Sequence, residues 1–252
     1  MKNPDVTLVH VDAAEKHRAH DSKSQWHARF CNERRFVVLD LIMGRIDSTH
    51  PLYDYLTRHG MTADDIKWFR RHPARVDVLG LDYYAHCELE WNTRGRVWPN
   101  RMPEGFTAVA MEYVDRYQLP VMLSETNIRG YLTDRLSWMK FMYEQCEVLV
   151  EQLTPRDLSF HGFCWFPLID STDWDTLVRE ANGRVDPQGI YWLDRHRTIR
   201  NASELSDVFT ALARRTLKGS DIPAYCFQPP VHDVVHGFRP FMRHWQWKTP
   251  ER

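Results

Sequence analysis

Four short apolar runs, separated by amphipathic stretches, constrain the fold of this 252-residue chain more than any other feature. The runs begin at Val6, Val76, Leu119 and Phe160, and polar or turn residues bound each of them. Uninterrupted runs of this length are typical of strands that are buried on both faces of a parallel sheet. Because the stretches between them predict helices, the order of elements predicts a parallel sheet with helical cover.

The predicted helices, together with the number of predicted strands, limit the folds that this chain can adopt. The pattern predicts helices over residues 13–45, 52–71, 103–116, 133–153 and 203–217. The second stretch is expected to break at His59-Gly60 and to restart at Thr62, an N-cap with Asp65 three residues on. A complete (β/α)8 barrel of the TIM type takes about 250 residues, yet only four strands are predicted. We therefore expect one α/β domain over residues 1–252 that holds part of such a barrel, with an irregular tail over residues 218–252 packed on it.

Composition narrows the class of protein. The formal net charge of −1 gives no electrostatic case for nucleic acid or for an anionic membrane, and no apolar run of 18 residues indicates a membrane span. Five cysteines, an odd count without C-x-x-C spacing, argue against a disulfide framework and a zinc site. The simplest expectation is a cytoplasmic protein with reduced thiols, with no metal and no cofactor.

Carboxylates and aromatic rings follow the predicted strands. In parallel α/β architectures the active site lies at the carboxyl ends of the strands. The residues there are Asp82 and Tyr84 after the second run, Glu125 after the third, and Trp165, Asp173 and Trp174 after the fourth. Taken singly, a carboxylate at such a place is more often a cap or an ion-pair partner, and a ring is more often core. Together they are what sugar hydrolysis needs: carboxyl groups for the chemistry and flat rings beneath the pyranose.

Three segments resemble glycoside hydrolase family 1. Residues 76–84, Val-Asp-Val-Leu-Gly-Leu-Asp-Tyr-Tyr, resemble the strand-six motif of that family, which ends in Asn-Tyr-Tyr. Residues 119–127 resemble its strand-seven motif, which ends in Thr-Glu-Asn-Gly and carries the nucleophile. Residues 160–174 resemble strand eight and the Glu-Trp loop after it, and residues 189–194 are similar to the stretch that follows. The resemblance implies the C-terminal half of the barrel, strands five to eight.

The resemblance also implies an activity, the retaining hydrolysis of β-O-glycosidic bonds through a glycosyl-enzyme on Glu125. Tyr84 would hydrogen-bond the nucleophile, and Asp82 stands where the family has Asn. By the same resemblance, Trp165 would form a platform under the sugar. Asp173 and Trp174 would contact the outer hydroxyl groups of the sugar. The implied partner is a carbohydrate substrate. Asp82 adds a negative charge near Glu125, which is expected to raise a carboxyl pKa if the two groups approach.

One part of the family site has no counterpart. The Asn-Glu-Pro motif that supplies the acid/base in the family does not occur here, and Asn32-Glu33-Arg34 has a helical pattern away from the rim. Three explanations stay open: further sequence, a second chain that completes the barrel, or a substitute carboxylate, with Asp12 or Glu15 as candidates. The alternative function is a catalytically silent carbohydrate-binding or interaction module derived from such an enzyme. Because a half barrel has two open sheet edges, self-association or a completing partner is expected.

Overall fold

The computed structural model describes residues 6–100, 102–194, 199–200 and 204–223. In these residues the strands are, in chain order, β1 (Val9–Ala13), β2 (Lys16–Ala19), β3 (Val78–Asp82), β4 (Glu88–Trp91), β5 (Val97–Pro99), β6 (Val121–Thr126), β7 (Phe160–Trp165), β8 (Ser171–Thr172), β9 (Val185–Asp186), β10 (Trp192–Leu193) and β11 (Ile199–Arg200). The helices are α1 (Gln25–Arg34), α2 (Val37–Ile42), α3 (Tyr53–Arg58), α4 (Ala63–Arg71), α5 (Phe106–Tyr117), α6 (Leu132–Leu153) and α7 (Glu204–Ala213).

The four predicted apolar strands form one sheet. Its order is β1-β3-β6-β7, and all three pairings are parallel. The strands follow one another in chain order with helices between them, as in one part of an α/β barrel. The predicted α/β class is confirmed, and within the described residues the sheet is open and not a closed barrel. Strands β1 and β7 are therefore its two edges.

The two faces of this sheet have different environments. Leu79 and Leu81 on β3 and Leu123 on β6 are at most 1% exposed, in a core shared with α5 and α6. The alternate residues face the other way, because successive side chains of a strand point to opposite faces. The side chains of Val11 and Ser124 lie on that side and flank Gly80. A Cβ atom added to Gly80 would come within 2.9 Å of Val11 Cγ2 and 3.1 Å of Ser124 Oγ. Val11 is 54% exposed, so this face, which would be the interior of a closed barrel, is open.

The helix predicted over residues 13–45 is wrong in its first part. Lys16–Ala19 is strand β2, which pairs in parallel with β4, and β4 pairs antiparallel with β5. The segment has no alternating apolar pattern of its own. It is held as a strand by residues about seventy positions away, through bonds such as Lys16 N to Cys87 O at 3.0 Å. A pairing of this separation is not readable from a local pattern, and the same is true of β4 and β5, for which no strand was predicted.

A buried glutamate ties this small sheet to the main one. Glu88 is 1% exposed, and its carboxylate accepts bonds from the Tyr83 hydroxyl at 2.8 Å and from the backbone N–H groups of Glu104 and Gly105 at 2.7 and 2.8 Å. These donors satisfy a carboxylate that would otherwise be costly to bury. The network fixes Tyr83, and with it the chain direction at the end of β3.

The other helices lie near their predicted places. The predicted break near Gly60 is confirmed by α3 and α4, and Thr62 caps α4 with its hydroxyl accepting from Asp65 N at 3.1 Å. The tail predicted over residues 218–252 lies outside the described residues beyond 223. Its described start docks on α6, where Lys140 Nζ donates to Gly219 O at 2.8 Å. No helix in the described part of the chain is long and apolar enough to cross a membrane.

Candidate active site

A β-bulge shapes the carboxyl end of the sheet. Leu81 pairs with Leu123, but the next pair is Asp82 with Glu125, so two residues of β6 oppose one residue of β3. A bulge of this kind turns consecutive side chains toward one face. As a result Ser124 and Glu125 both contact Asp82. The backbone closes around the bulge through a bond from Tyr83 N to Glu125 O at 2.9 Å.

Two carboxyl groups lie at the carboxyl end of the sheet, together with the hydroxyl groups of Ser124 and Tyr84. Ser124 Oγ donates to Asp82 Oδ1 at 2.7 Å. The register sets Asp82 of β3 opposite Glu125 of β6, and, besides burial, the charge of Glu125 raises the pKa of both Asp82 and Tyr84. The sequence interpretation named Asp82, Tyr84 and Glu125, and the structure brings them together. Ser124 was not predicted, because its place in the site depends on the bulge in β6, and the sequence pattern does not show a bulge.

Burial sets the protonation of this group. Burial raises the pKa of Asp82 to about 6; the Ser124 hydrogen bond opposes this rise, and the charge of Glu125 adds to it. Burial, followed by the hydrogen bond to Glu125, raises the pKa of Tyr84 far above its ordinary value. Tyr84 therefore keeps its proton and is able to donate a hydrogen bond. Its ring is fixed by a stack on His86, with centroids 5.4 Å apart.

The aromatic residues after β7 fall into two groups. Trp165 is 4% exposed, and its Nε1 donates to Gln188 O at 2.8 Å, so most of its ring is covered. Phe166 and Trp174 are 39% and 37% exposed and form an edge-to-face pair with centroids 6.3 Å apart. Phe166 was not singled out from the sequence. The platform role of Trp165 stays a prediction, and the exposed pair is an additional surface on which a sugar ring can stack.

The side chain of Asp173 stabilises the loop that begins at this residue. Its two carboxylate oxygens accept from Gly183 N at 3.1 Å and from Arg184 N at 3.0 Å. Its backbone has a φ of 59°, and the next N–H, of Trp174, donates to Asp186 Oδ2 at 2.7 Å. These bonds place Trp174 beside Phe166. Contacts from Asp173 and Trp174 to sugar hydroxyls stay a prediction, and for Asp173 they would compete with the bonds that hold the loop.

The two candidate substitute acids are Asp12 and Glu15. Asp12 points away from the face that carries Glu125, and Glu15 is paired with His17. Asp12 pairs in register with Leu81, so its side chain lies on the helical side of the sheet, opposite to Val11. Glu15 is 3.3 Å from His17 Nε2, and this hydrogen bond lowers the pKa of Glu15. A carboxyl group with a lowered pKa is a poor proton donor near neutral pH. Neither residue is placed to protonate a leaving group on the open face.

The chain is similar in fold to solved structures of a β-glucosidase. No known family profile matches the sequence, and no curated protein matches it. The chain superposes on a family 1 β-glucosidase from Thermotoga maritima with a TM-score of 0.64 and 13% identity, over 85% of this chain and 52% of that one. The fold is similar to about half of the barrel of that β-glucosidase.

Two further structures of that Thermotoga maritima β-glucosidase match equally well. The complex with castanospermine gives a TM-score of 0.66 at 15% identity, over 85% of this chain and 52% of that one. The complex with a methyl acetic acid-substituted glucoimidazole gives 0.66 at 14% identity, over 84% and 51%. The chain thus spans about half the length of the solved structures it matches. At these identities the likeness shows the half-barrel fold and not the activity.

The carboxyl end of the sheet presents the half-buried carboxylate Glu125. Glu125 lies near the end of β6, and its charge, after burial, contributes to the raised pKa that keeps Tyr84 protonated. The register partner of Glu125, Asp82, places a second carboxyl group at the same end of the sheet. Among the described residues, no cluster of three or more His, Cys, Asp or Glu is arranged to hold a metal ion.

Proposed function

We propose that this chain carries the nucleophile half of a retaining β-glycosidase site, with Glu125 as the nucleophile. The observation that carries the proposal is the register that sets Glu125 of β6 opposite Asp82 of β3, two residues before Tyr84, at the carboxyl ends of adjacent parallel strands. A carboxylate that attacks the anomeric carbon needs to be ionised, oriented and reachable. Tyr84 orients Glu125, and the open face of the sheet leaves it reachable.

The proposed reaction has two steps. A Glu125 oxygen forms a bond to the anomeric carbon while the bond to the leaving-group oxygen breaks, which gives a glycosyl-enzyme with the opposite anomeric configuration. Water then attacks the same carbon, releases Glu125 and restores the original configuration. The first step lacks a proton donor for the leaving group, and such general acid help contributes about 10²- to 10⁴-fold. Substrates whose leaving group departs without a proton are therefore the ones this chain is expected to cleave.

The sugar would lie over the open end of the sheet. We assign the stacking surface to the exposed pair Phe166 and Trp174, with Trp165 beneath, and contacts to outer hydroxyls to Asp173. The exposed fractions of Phe166 and Trp174 support this assignment, since both rings present a free apolar edge or face. The four described free cysteines, Cys31, Cys87, Cys146 and Cys164, support a reducing, cytoplasmic setting for the protein.

The open face would be completed by a second polypeptide surface. Edge strands β1 and β7 carry unpaired backbone groups on their outer sides within the described residues, and Val9 and Val11 are 43% and 54% exposed. Such edges favour pairing with another chain. We assign this role to a second copy or to a complementary half barrel, which would also be the source of the acid/base carboxyl group.

The anomeric form of the product tests the proposed function. The purified chain is given a panel of 2,4-dinitrophenyl β-glycosides, and early product is followed by proton NMR before mutarotation. We expect dinitrophenolate release with the β-hemiacetal formed first, and rates at least about 100-fold lower on alkyl glycosides, because these need acid help. First appearance of the α-hemiacetal would contradict a retaining mechanism.

A silent carbohydrate-binding or interaction module is the second candidate. It is favoured by the positions of Asp12 and Glu15, since neither supplies an acid on the open face. Under this reading, folded protein would release no dinitrophenolate from any sugar of the panel. Saturable binding of the same sugars, measured by titration calorimetry and weakened by Trp174→Ala, would then identify the module.

A further inference from the structure

A small pocket opens between the start of α6 and the loop that carries β10. Its volume is about 320 Å³, and its walls include Tyr131, Arg135, Asp170 and Trp192. This volume is at the lower end of the range for ligand sites, so the pocket fits one small ring and not a longer chain. Its lining shares no described residue with the group around Glu125 at the carboxyl end of the sheet.

A buried arginine with unfilled hydrogen bonds lies at this pocket. Arg135 is 2% exposed, and Nη1 makes both of its hydrogen bonds, to Gly189 O at 2.6 Å and to Asp170 Oδ1 at 3.4 Å. Within the described residues, Nε is buried without a partner, and Nη2 forms no hydrogen bond either but keeps accessible surface. Because buried polar groups are nearly always paired, the partner that this guanidinium lacks is an acceptor oxygen that enters the pocket.

An exposed aromatic ring stands beside the guanidinium. Cζ of Arg135 lies 5.6 Å from the centroid of the Trp192 ring, and Trp192 is 41% exposed. Tyr131 adds a second ring to the lining and is 71% exposed. A flat ligand that lies on Trp192 therefore comes within reach of the free donor. A pyranose ring has the matching chemistry, because its C–H face packs on aromatic rings and its hydroxyl oxygens accept hydrogen bonds.

The charges around the pocket favour an uncharged ligand. Asp170 already balances the Arg135 guanidinium, and its Oδ1 also accepts from Gly189 N at 2.7 Å. Asp134 adds a second carboxylate nearby, where its Oδ2 accepts from Tyr131 N at 2.9 Å. Two carboxylates against one guanidinium repel an anion, and the free guanidinium donor disfavours a cation. A hydroxyl oxygen can use that donor without adding charge.

We infer that this pocket is a saccharide subsite, in which one uncharged sugar ring stacks on Trp192 and a hydroxyl oxygen accepts a hydrogen bond from Arg135 Nη2. This inference goes beyond the proposed function, since binding here needs neither Glu125 nor the cleavage of a bond. Asp170 holds the ring in place, because its Oδ2 accepts from the next backbone N–H, that of Leu193, at 3.2 Å. For a small and partly exposed site we expect a dissociation constant on the order of 1 mM.

Fluorine NMR shows whether a sugar reaches the pocket. The full chain is prepared with 5-fluorotryptophan at its ten tryptophans, and Trp192→Phe identifies the resonance of Trp192. The chain is titrated with cellobiose, lactose and maltose and, separately, with benzoate and inorganic phosphate. We expect at least one disaccharide to shift the Trp192 resonance in a saturable manner, and neither anion to do so. No saturable shift with any sugar, or saturation by either anion, would overturn the saccharide subsite.

Substitutions in the pocket test its two contacts. They are made in a chain that carries Trp174→Ala, so that the other exposed ring does not contribute, and affinity is measured by saturation-transfer NMR of the sugar protons. Trp192→Ala is expected to weaken disaccharide binding at least about tenfold. The matched control Trp68→Ala removes a tryptophan of α4 that is 54% exposed and should leave binding unchanged. Equal effects of these two substitutions would overturn the subsite.

The donor has its own variant. Arg135→Lys retains the charge that faces Asp170 but removes the planar fork of donors, so it is also expected to weaken binding. Its fold is checked by thermal unfolding, and Trp192→Ala, at an exposed side chain, decides the question if Arg135→Lys does not fold. Binding as tight in folded Arg135→Lys as in the unmodified chain would overturn the role of the guanidinium.

Two further variants separate this subsite from the proposed active site. Glu125→Gln and Trp174→Ala alter the carboxyl end of the sheet, and the sugar titration of the Trp192 resonance should be unchanged in both. Loss of the Trp192 shift in Trp174→Ala would indicate a single site at the sheet end and would overturn the inference. If no glycoside is hydrolysed but the Trp192 shift persists, the nucleophile proposal fails and the subsite stands.

Discussion

Glu125→Gln is expected to lower the rate of dinitrophenyl glycoside hydrolysis by about 10³-fold or more. The amide has nearly the same shape as the carboxylate, so the fold and the contact with Tyr84 are retained, but it cannot form the glycosyl ester. Removal of a nucleophile that acts by covalent catalysis has effects of this size or larger. The rate is measured by dinitrophenolate absorbance at saturating substrate.

A matched substitution separates the chemistry from the loss of a charge. Glu151 is an exposed glutamate on α6, and Glu151→Gln removes the same charge far from the sheet end. Its rate should equal that of the unmodified chain, and the thermal unfolding of both variants should be alike. Equal rates for Glu125→Gln and Glu151→Gln would show that any hydrolysis takes place elsewhere.

Val9→Lys is expected to weaken self-association of the chain by at least about 100-fold. Val9 lies on the open face of edge strand β1 and is 43% exposed. If a second copy covers this face, a lysine there has to be buried without a partner, which costs several kcal/mol. Sedimentation velocity over a range of concentrations measures the association. For the unmodified chain, the measured mass in solution should exceed the 30.0 kDa of one copy.

An exposed valine elsewhere provides the control. Val148 lies on α6 and is 41% exposed, so Val148→Lys adds the same charge at the same exposure away from the open sheet. It should associate like the unmodified chain. A single soluble copy at all concentrations, or equal effects of the two lysines, would contradict coverage of the open face by a second copy.

The sequence predicted the main sheet well because each of its strands has its own apolar signal. The strands that begin at Val78 and Val121 were readable because all of their residues are buried or half-buried, and such strands form short continuous apolar runs. The capped helix after Thr62 was readable for a similar reason, as its cap and its first turn are adjacent in sequence. Features of this kind depend on neighbours a few residues away.

What the sequence did not predict depends on distant partners. Strand β2 exists because Lys16–Ala19 pairs with β4, and Ser124 joins the site because a bulge shifts β6 against β3. The burial of Trp165 against Gln188 likewise depends on how the loop after β7 folds back. None of these contacts has a local pattern, so sequence alone gave the site's carboxylates and rings but not their hydrogen bonds.

Covalent trapping tests the role of Glu125 most directly. The chain is incubated with a 2-deoxy-2-fluoro β-glycoside that carries a dinitrophenyl leaving group, which departs without acid help, and its intact mass and peptide map are then measured. We expect one added fluorosugar per chain, located on Glu125 and absent from Glu125→Gln. An adduct on another residue, or no adduct on folded protein across a panel of sugars, would contradict it.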